Sequence, residues 1–330
     1  MRKIIKLMAV VSMTLIVLAG CGSGNNETTK DSASKSSKAN TEATGEGDKI
    51  LAVTSFTLLE DIVKEIGKDR VDVHNLVPTG TDPHEYEPLP EDIKAATDAD
   101  VLFYNGLNLE GGENGWFAKM MESVGQDWDN AFELTKGVEP MYVTSGSGDK
   151  KAEEINPHAF LDPIVGIQMT ENVRDALVEI DPANKKHYKE NAEKYLDQLR
   201  EIDEQYKTKI NEIPEEDRVF ITSEQAYQYM TKRYGLKEGF IWAIDTEENG
   251  SPEQITSLLK FIEKHDPPVL FVETNVDPRP METVSKESGV EIYGELYSDE
   301  IGKPGEEGDT YVKYLQYNMD KIYEGLTSKK

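Results

Sequence analysis

An alternation of short β-rich runs and helical patterns, which appears twice along the chain, constrains the fold most strongly. In the first half, the pattern predicts strands at residues 50–56, 72–77 and 100–104, which are rich in Val, Ile, Leu and Phe. Helical spacing occupies residues 58–66 and 90–96 between them. Alternation of this kind is typical of a parallel sheet whose two faces are covered by helices.

The same alternation returns in the second half, with strands predicted at residues 218–222, 239–243, 268–273 and 290–293. Between them, Ser-Pro-Glu-Gln at residues 251–254 supplies an N-cap serine, a first-turn proline and a capping-box glutamine, which predicts a helix start. The sequence therefore predicts an α/β protein of two lobes, each with a mainly parallel sheet flanked by helices.

The longest periodic segment of the chain separates the two halves. Apolar and aromatic residues recur there three and four positions apart: Tyr188, Ala192, Tyr195, Leu199, Ile202, Tyr206, Ile210 and Ile213. Asp181-Pro182 favours a helix start and Pro214 a stop, so the helix would be about 45–50 Å long. A coiled-coil arm is the alternative, but this stripe lacks a clean heptad. We predict a rigid helix that runs along both lobes.

The first twenty residues have the composition of a targeting segment. Arg2, Lys3 and Lys6 precede an apolar run at residues 7–18. This run is shorter than the roughly 20 residues that cross a bilayer, but it fits the core of a signal peptide. It ends in Leu18-Ala19-Gly20-Cys21, which resembles the bacterial lipobox, whose cysteine is lipidated after cleavage. We therefore expect a lipid anchor at the extracytoplasmic face of the cell membrane.

Cys21 is the only cysteine, so the chain can form no internal disulfide and no cysteine-based zinc site. More than one acyl chain, palmitate included, is expected on it, because a single chain anchors only marginally. Residues 21–48 are polar and predict a disordered tether. The folded part would then divide into a first lobe at 49–180, a linking helix at 181–213 and a second lobe at 214–330.

The net charge limits the partners that the protein can bind. The formal charge is −27, and it becomes −30 when the three basic residues of the signal segment are removed. Such a charge argues against binding to nucleic acid or to anionic lipid, although solubility alone would also explain it. The sequence contains no GxxxxGK[ST] segment, so we do not expect the chain to hydrolyse ATP.

Four potential metal donors stand in short distinctive contexts: His84, His158, Glu224 and Asp299. A proline precedes each imidazole and restricts the backbone there. Two imidazoles and two carboxylates suit a divalent transition metal, and binding should weaken as pH falls through the histidine range. Taken singly, each residue has an ordinary explanation as a solvated, capping or turn residue.

The positions of these donors in the predicted fold favour a common site. His84 and Glu224 each follow a predicted strand, and Asp299 follows the last one. His158 lies before a helix predicted to begin near Asp162. Because ligands bind outside the carboxyl ends of parallel strands, two facing lobes would bring all four side chains into one cleft.

Several motifs in combination resemble the metal-binding lipoproteins of bacterial ABC transporters, the cluster A-I substrate-binding proteins. The resemblance covers the chain from Cys21 onward. The motifs are VPTGTDPHEY at 77–86, NGLNLE at 105–110, NPHAFLDP at 156–163, TSE at 222–224, FVE at 271–273, VDPRPM at 276–281 and the stretch around Asp299.

This resemblance implies two lobes joined by one long helix, with an ion held between them by His84, His158, Glu224 and Asp299. It implies capture and delivery of the ion without catalysis. The partners would be a membrane permease and its separate ATPase subunit, and we expect the chain to act as a monomer. Glu85, Asp162 or Glu273 could support the ligands, or could equally be caps and surface charges.

The resemblance also bears on the identity of the metal. Zinc-specific members typically carry histidine in place of Glu224 and often a His-rich loop, whereas residues 144–155 contain no histidine. We expect manganese as the ligand, because manganese-binding members carry glutamate at this position and hard carboxylate oxygens favour manganese. We expect zinc to be a tight competitor, because the Irving–Williams order favours zinc in raw affinity. A zinc-binding member, a metal-dependent hydrolase with an open coordination position and a surface adhesin are the alternatives.

Overall fold

The computed structural model describes residues 49–145, 152–244 and 250–328. Strands and helices alternate along the chain both before and after one long helix. The strands are β1 (Ile50–Phe56), β2 (Val71–Val77), β3 (Val101–Tyr104), β4 (Ala131–Glu133), β5 (Tyr142–Ser145), β6 (Ala152–Ile155), β7 (Val219–Glu224), β8 (Lys237–Trp242), β9 (Leu270–Glu273) and β10 (Ile292–Leu296). The helices are α1 (Thr57–Gly67), α2 (Pro90–Asp98), α3 (Trp116–Val124), α4 (Pro163–Ile180), α5 (Lys185–Glu212), α6 (Gln228–Tyr234), α7 (Pro252–His265), α8 (Arg279–Ser288) and α9 (Tyr311–Thr327). The predicted signal peptide, Cys21 and the predicted tether lie outside the described residues.

The first lobe, which precedes α5, contains a parallel sheet in the order β2-β1-β3-β4. Ala52 of the central strand β1 pairs with Val73 on one side and with Val101 on the other. Six of the seven β1 residues are buried, which fits a strand covered on both faces. Since the strands are parallel, the loops after β1, β2 and β3 leave the sheet at the same edge.

The second lobe, which follows α5, contains two parallel pairs, β7-β8 and β9-β10, where one sheet was predicted. The direction of the strands is therefore as predicted, but the sheet is divided. At the carboxyl end of β7, the N–H groups of Ser223 and Glu224 donate to the side-chain carboxylate of Glu273 on β9. The Glu273 side chain thus connects β7 to β9, where a continuous sheet would have hydrogen bonds between the two backbones.

The long helix α5 has 28 residues and a length of about 42 Å. Its predicted apolar stripe is buried, and the helix packs against α1 and α4 of the first lobe and α9 of the second. It begins later than predicted, because Pro182–Asn184 form a separate 3₁₀ turn. Neither α5 nor any other helix of the described segments has the length and apolar character needed to cross a membrane.

Tyrosines of α9 connect the helix to backbone on both sides of the molecule. The Tyr311 hydroxyl donates to the Phe160 carbonyl at 2.6 Å, and the Tyr314 hydroxyl donates to the Ser298 carbonyl at 2.6 Å. Both rings are fully buried, so each hydroxyl needs such a partner. These bonds fix the chain two residues after His158 and one residue before Asp299.

The carboxylate of Asp61 on α1 links the two lobes and gives the fold a pH-dependent stability. It accepts hydrogen bonds from the Tyr311 N–H at 2.9 Å and from the Tyr195 hydroxyl at 3.0 Å. Burial raises the pKa of Asp61 from 3.8 to about 6, although both hydrogen bonds oppose the rise. A raised pKa means that the contribution to stability is complete below pH 3.8 and is lost as pH rises through about 6.

We therefore expect the Asp61→Asn variant to lose less stability than the parent protein between about pH 4 and pH 7. The difference in the free energy of unfolding should reach at most about 3 kcal/mol, which is the equivalent of a pKa that moves from 3.8 to about 6. The partial exposure of Asp61 reduces it below that limit. Urea unfolding at both pH values measures it. Parallel pH profiles for the two proteins would contradict the assignment to Asp61.

Candidate metal centre

All four predicted donors lie at one place between the lobes. His84 lies in the loop that follows β2, and His158 begins the 3₁₀ turn His158–Leu161. Glu224 is the last residue of β7, and Asp299 follows β10. Each lobe thus contributes two of the four side chains: the first lobe contributes both imidazoles, and the second contributes both carboxylates.

The donor atoms approach one another at distances that suit a shared ion. The Nε2 atoms of His84 and His158 are 3.2 Å apart. The nearest oxygens of Asp299 lie 3.8 Å from His84 Nε2 and 3.2 Å from His158 Nε2, and Glu224 Oε1 lies 3.6 Å from His158 Nε2. Neighbouring ligands at about 2.1 Å from one ion are about 3.0–3.4 Å apart. The two separations of 3.2 Å lie in that range, and those of 3.6 Å and 3.8 Å exceed it by a few tenths of an ångström.

The three residues His84, His158 and Asp299 form the tightest part of the group, since one ligand atom from each lies within 4.8 Å of the other two. Glu224 lies outside this group of three and approaches it at His158. The side chains of His158 and Glu224 are fully buried, and that of His84 is 9% exposed. Four surface cavities lined by described residues have volumes of 380–570 Å³ and contain none of the four donors. Because none of the donor side chains is more than 9% exposed, the centre is a closed gap between them.

Burial and mutual charge set the protonation of these groups. Burial acts to lower the pKa of His84, but the adjacent Asp299, with Glu224 and Asp82 behind it, raises this pKa to about 9. Burial lowers the pKa of His158. Burial acts to raise the pKa of Asp299, but the two imidazoles together hold it well below its ordinary value. A cation that enters the centre therefore competes with a proton on His84 below about pH 9.

The loop that carries His84 is fixed on both sides of the imidazole. The His84 N–H donates to the Asp82 carboxylate at 2.7 Å, which closes an Asx turn. One residue before the imidazole, the Pro83 carbonyl accepts a hydrogen bond from the Trp116 indole at 2.9 Å. The Tyr86 ring packs edge-on against Trp116 at 5.3 Å. The ring of His84 is therefore held by a loop with few degrees of freedom.

The position of His158 depends on a buried polar cluster at the end of β3. The amide of Asn105 donates to the Pro157 carbonyl at 3.1 Å. Glu110 in turn accepts hydrogen bonds from the Asn105 N–H and from the Ser55 hydroxyl, both at 2.6 Å. The NGLNLE motif thus folds its glutamate back onto its own first residue, and that residue supports the histidine loop.

Glu224 and Asp299 are supported by side chains of the second lobe. The Glu273 carboxylate accepts hydrogen bonds from the Glu224 N–H at 2.9 Å and the Ser223 N–H at 3.1 Å. Burial raises the pKa of Glu273 to about 7, although these bonds oppose the rise. Asn275 donates to Asp299 Oδ2 at 3.2 Å. Glu224 is therefore held through its backbone N–H, and Asp299 is held through a side-chain oxygen.

Direct contacts between the lobes lie beside the centre. The Thr79 hydroxyl donates to the Ile301 carbonyl at 3.2 Å, and the Gly80 N–H donates to the Glu300 carboxylate. The Ile301 N–H donates to the Thr57 hydroxyl at 3.2 Å. Residues one and two positions after Asp299 thus bind the first lobe, so the approach of the lobes and the position of this donor depend on each other.

The sequence predicted the four donors but not which residues support them. Of the three candidates for support, Glu273 contacts the backbone of Glu224, whereas Asp162 caps α4 and pairs with Arg233, and Glu85 is exposed. The roles of Asn105 and Glu110 were missed. Their motif was visible in the sequence, but the contact with Pro157 joins residues 52 positions apart.

Comparison with known proteins identifies relatives along nearly the whole chain. Residues 52–325 match the family model described as ZnuA, zinc-uptake complex component A, periplasmic. The manganese ABC transporter substrate-binding lipoprotein PsaA of Streptococcus mitis is 42% identical over 318 residues, which cover 96% of this chain and 97% of that protein. The metal ABC transporter substrate-binding lipoprotein SsaB of Streptococcus sanguinis is 42% identical over 86% of this chain and 91% of its own length.

Solved structures share the fold at lower sequence identity. A Mn-bound periplasmic metal binding protein from Candidatus Liberibacter asiaticus superimposes with a TM-score of 0.74 and 30% identity, covering 84% of this chain and 100% of that chain. The periplasmic zinc binding protein TroA from Treponema pallidum has a TM-score of 0.74 and 26% identity over 85% of this chain and 99% of its own. The chain belongs to the ZnuA family, whose model matches it from within the first strand to within the last helix.

Proposed function

We propose that this protein captures a divalent metal ion, manganese in the first place, at the outer face of the cell membrane and delivers it to an ABC permease. One observation carries the proposal: two imidazole nitrogens 3.2 Å apart are buried against the oxygens of Asp299 and Glu224. Burying such groups is costly unless a charge partner lies among them. A divalent cation bound by His84, His158, Glu224 and Asp299 satisfies all four.

The donor set and the relatives support manganese as the ion. Carboxylate oxygens suit Mn²⁺, whereas a third imidazole in place of Glu224 would favour zinc. Relatives about 40% identical over their full lengths carry the name manganese ABC transporter substrate-binding lipoprotein. Zinc binds similar donors more tightly in general, so it acts as a competitor, and selectivity depends on geometry and metal availability.

The closed centre supports capture and release by movement of the lobes, without bond chemistry and therefore without enzymatic activity. Its donors are buried, so a hydrated ion enters and leaves only when residues 49–180 and 214–330 separate around the linking segment 181–213. The permease and its separate ATPase subunit drive the transport step. The body acts as a monomer and is tethered through lipid on Cys21.

Loss of either imidazole should abolish tight binding of Mn²⁺. The variants His84→Ala and His158→Ala should each weaken affinity by more than the roughly 10–100-fold that the loss of an outer-shell partner costs. Isothermal titration of protein stripped of metal measures the affinity. The matched control is His265→Ala, which removes a histidine that packs on Phe261 at the end of α7. Unchanged Mn²⁺ affinity in both imidazole variants would exclude this site.

Glu224 should decide between manganese and zinc. The Glu224→His variant replaces a hard oxygen donor by imidazole, so the ratio of zinc to manganese affinity should rise at least about tenfold, or about 1.4 kcal/mol. Competition titration, with metal analysis of protein purified without chelators, measures the ratio. Glu224→Gln is the control for loss of charge alone. A manganese preference that survives in Glu224→His would remove Glu224 as the discriminator.

The lipid anchor should depend on Cys21 alone. In the Cys21→Ala variant no acyl group can attach, so the protein should leave the membrane fraction while its Mn²⁺ affinity stays within about twofold of the parent value. Fractionation of cells grown with labelled fatty acid measures both acylation and location. Labelled, membrane-bound Cys21→Ala protein would show that another residue carries the anchor.

A further inference from the structure

Asn156 has a buried side chain that contacts both lobes beside the metal centre. Its Oδ1 lies 2.8 Å from Nδ1 of the His158 ring and 3.1 Å from the His158 backbone nitrogen. Its Nδ2 lies 2.8 Å from the carbonyl oxygen of Gln225 and 3.2 Å from Oε1 of Gln228. One amide thus joins a histidine of the first lobe to a helical turn of the second.

The backbone partners determine which end of the amide is oxygen. The Gln225 carbonyl can only accept a hydrogen bond, so the atom that faces it must be the NH₂ group of Asn156. The His158 backbone N–H can only donate, so the atom that faces it must be the amide oxygen. Gln228 agrees with this orientation, because its own Nε2 donates to the Tyr142 carbonyl at 3.0 Å and leaves its Oε1 toward Asn156.

This orientation determines the tautomer of the His158 ring. The amide oxygen accepts hydrogen bonds and cannot donate them, so Nδ1 at 2.8 Å must carry the proton. In the neutral ring, Nε2 is then the unprotonated nitrogen. This is the atom that lies 3.2 Å from His84 Nε2 and 3.2 Å from Asp299 Oδ1. The lone pair therefore faces the centre before an ion arrives.

The other end of the amide joins the centre to the second lobe. Gln225 follows Glu224 directly, so the bond from Asn156 Nδ2 to the Gln225 carbonyl links the histidine loop to the peptide beside a carboxylate donor. The Tyr229 hydroxyl of α6 adds a second link, since it donates to the Asn156 carbonyl at 2.9 Å. Separation of the lobes must break the side-chain bond, because its two ends belong to different lobes.

We propose that Asn156 is a positioning residue of the metal centre: its amide oxygen holds His158 as the Nδ1–H tautomer, and its amide nitrogen fastens the second lobe in the ion-holding arrangement. The proposal rests on the proposed function for its second half, since only an ion-binding protein has an ion to hold. The first half concerns the metal-free protein and can be tested independently of any ion.

The Asn156→Asp and Asn156→Ala variants separate the two halves. Asp keeps an acceptor for His158 but places an oxygen against the Gln225 carbonyl, so the ring tautomer should persist while Mn²⁺ release becomes at least about tenfold faster. A carboxylate acceptor also makes a metal-bound imidazole more basic, which acts toward slower release, so faster release reports the lost fastening. Ala removes both bonds, so the Nε2–H tautomer should appear in addition.

Two measurements read these effects. Nitrogen-15 NMR of histidine-labelled, metal-free protein at about pH 8, where the ring is neutral, reports the His158 tautomer. Stopped-flow mixing of the Mn²⁺-loaded protein with excess chelator reports the release rate. The matched control is Asn172→Asp, because Asn172 uses its amide in the same way, with Nδ2 donating to the carbonyls of Leu134 and Lys136 and Oδ1 accepting from Gln168.

Each outcome decides a separate point. An Nδ1–H ring in Asn156→Ala would overturn the tautomer role, and unchanged or slower release from Asn156→Asp would overturn the fastening role. Parent protein that takes up no Mn²⁺ would instead overturn the proposed function, while the NMR result would still decide the first role. If either Asn156 variant fails to fold, Gln228→Ala removes one second-lobe acceptor and should speed release by about threefold; an unchanged rate would count against the fastening.

Discussion

The structure depends on two acidic and two imidazole side chains that are buried against one another where the lobes meet. Asp299 keeps its negative charge there because the imidazoles lower its pKa. The raised pKa of His84 keeps a proton on that ring, and the proton supplies a positive charge beside the carboxylates. In the absence of a metal ion, the protonated imidazole therefore neutralises part of the negative charge of the carboxylates. In the proposed function, a divalent ion would supply more positive charge to the same oxygens and accept both nitrogen lone pairs, so that exchange of the proton for the ion would be favoured.

The rest of the fold can be understood as support for that arrangement. The helix α5 packs against both lobes along a buried apolar stripe. Tyr311 and Tyr314 of α9 fix the backbone near one histidine and one carboxylate donor. Glu273 fills the gap between the two strand pairs of the second lobe and, at the same point, holds the backbone of Glu224. One carboxylate thus bridges the two strand pairs and holds the backbone of a predicted donor.

Much of the fold was predictable because its strands carry strong local signals. The first strand was predicted with the bounds that the structure has, Ile50–Phe56. Strand β9 begins two residues later than predicted, at Leu270, because Pro267 and Pro268 precede it and cannot donate to a ladder. The hairpin of β5 and β6 and the division of the second sheet were missed, since short polar strands and side-chain bridges leave no periodic pattern.

The sequence by itself determined the α/β alternation and the long helix and predicted the four donors, because hydrophobic period, proline position and motif are local properties. The support of the donors was decided only by tertiary structure. Asn105 reaches Pro157, Glu273 reaches Glu224 and Asn156 reaches Gln225, and the paired residues are 49–69 positions apart in the chain. Such contacts depend on how whole lobes pack, and packing is a property of the folded chain that no local pattern records.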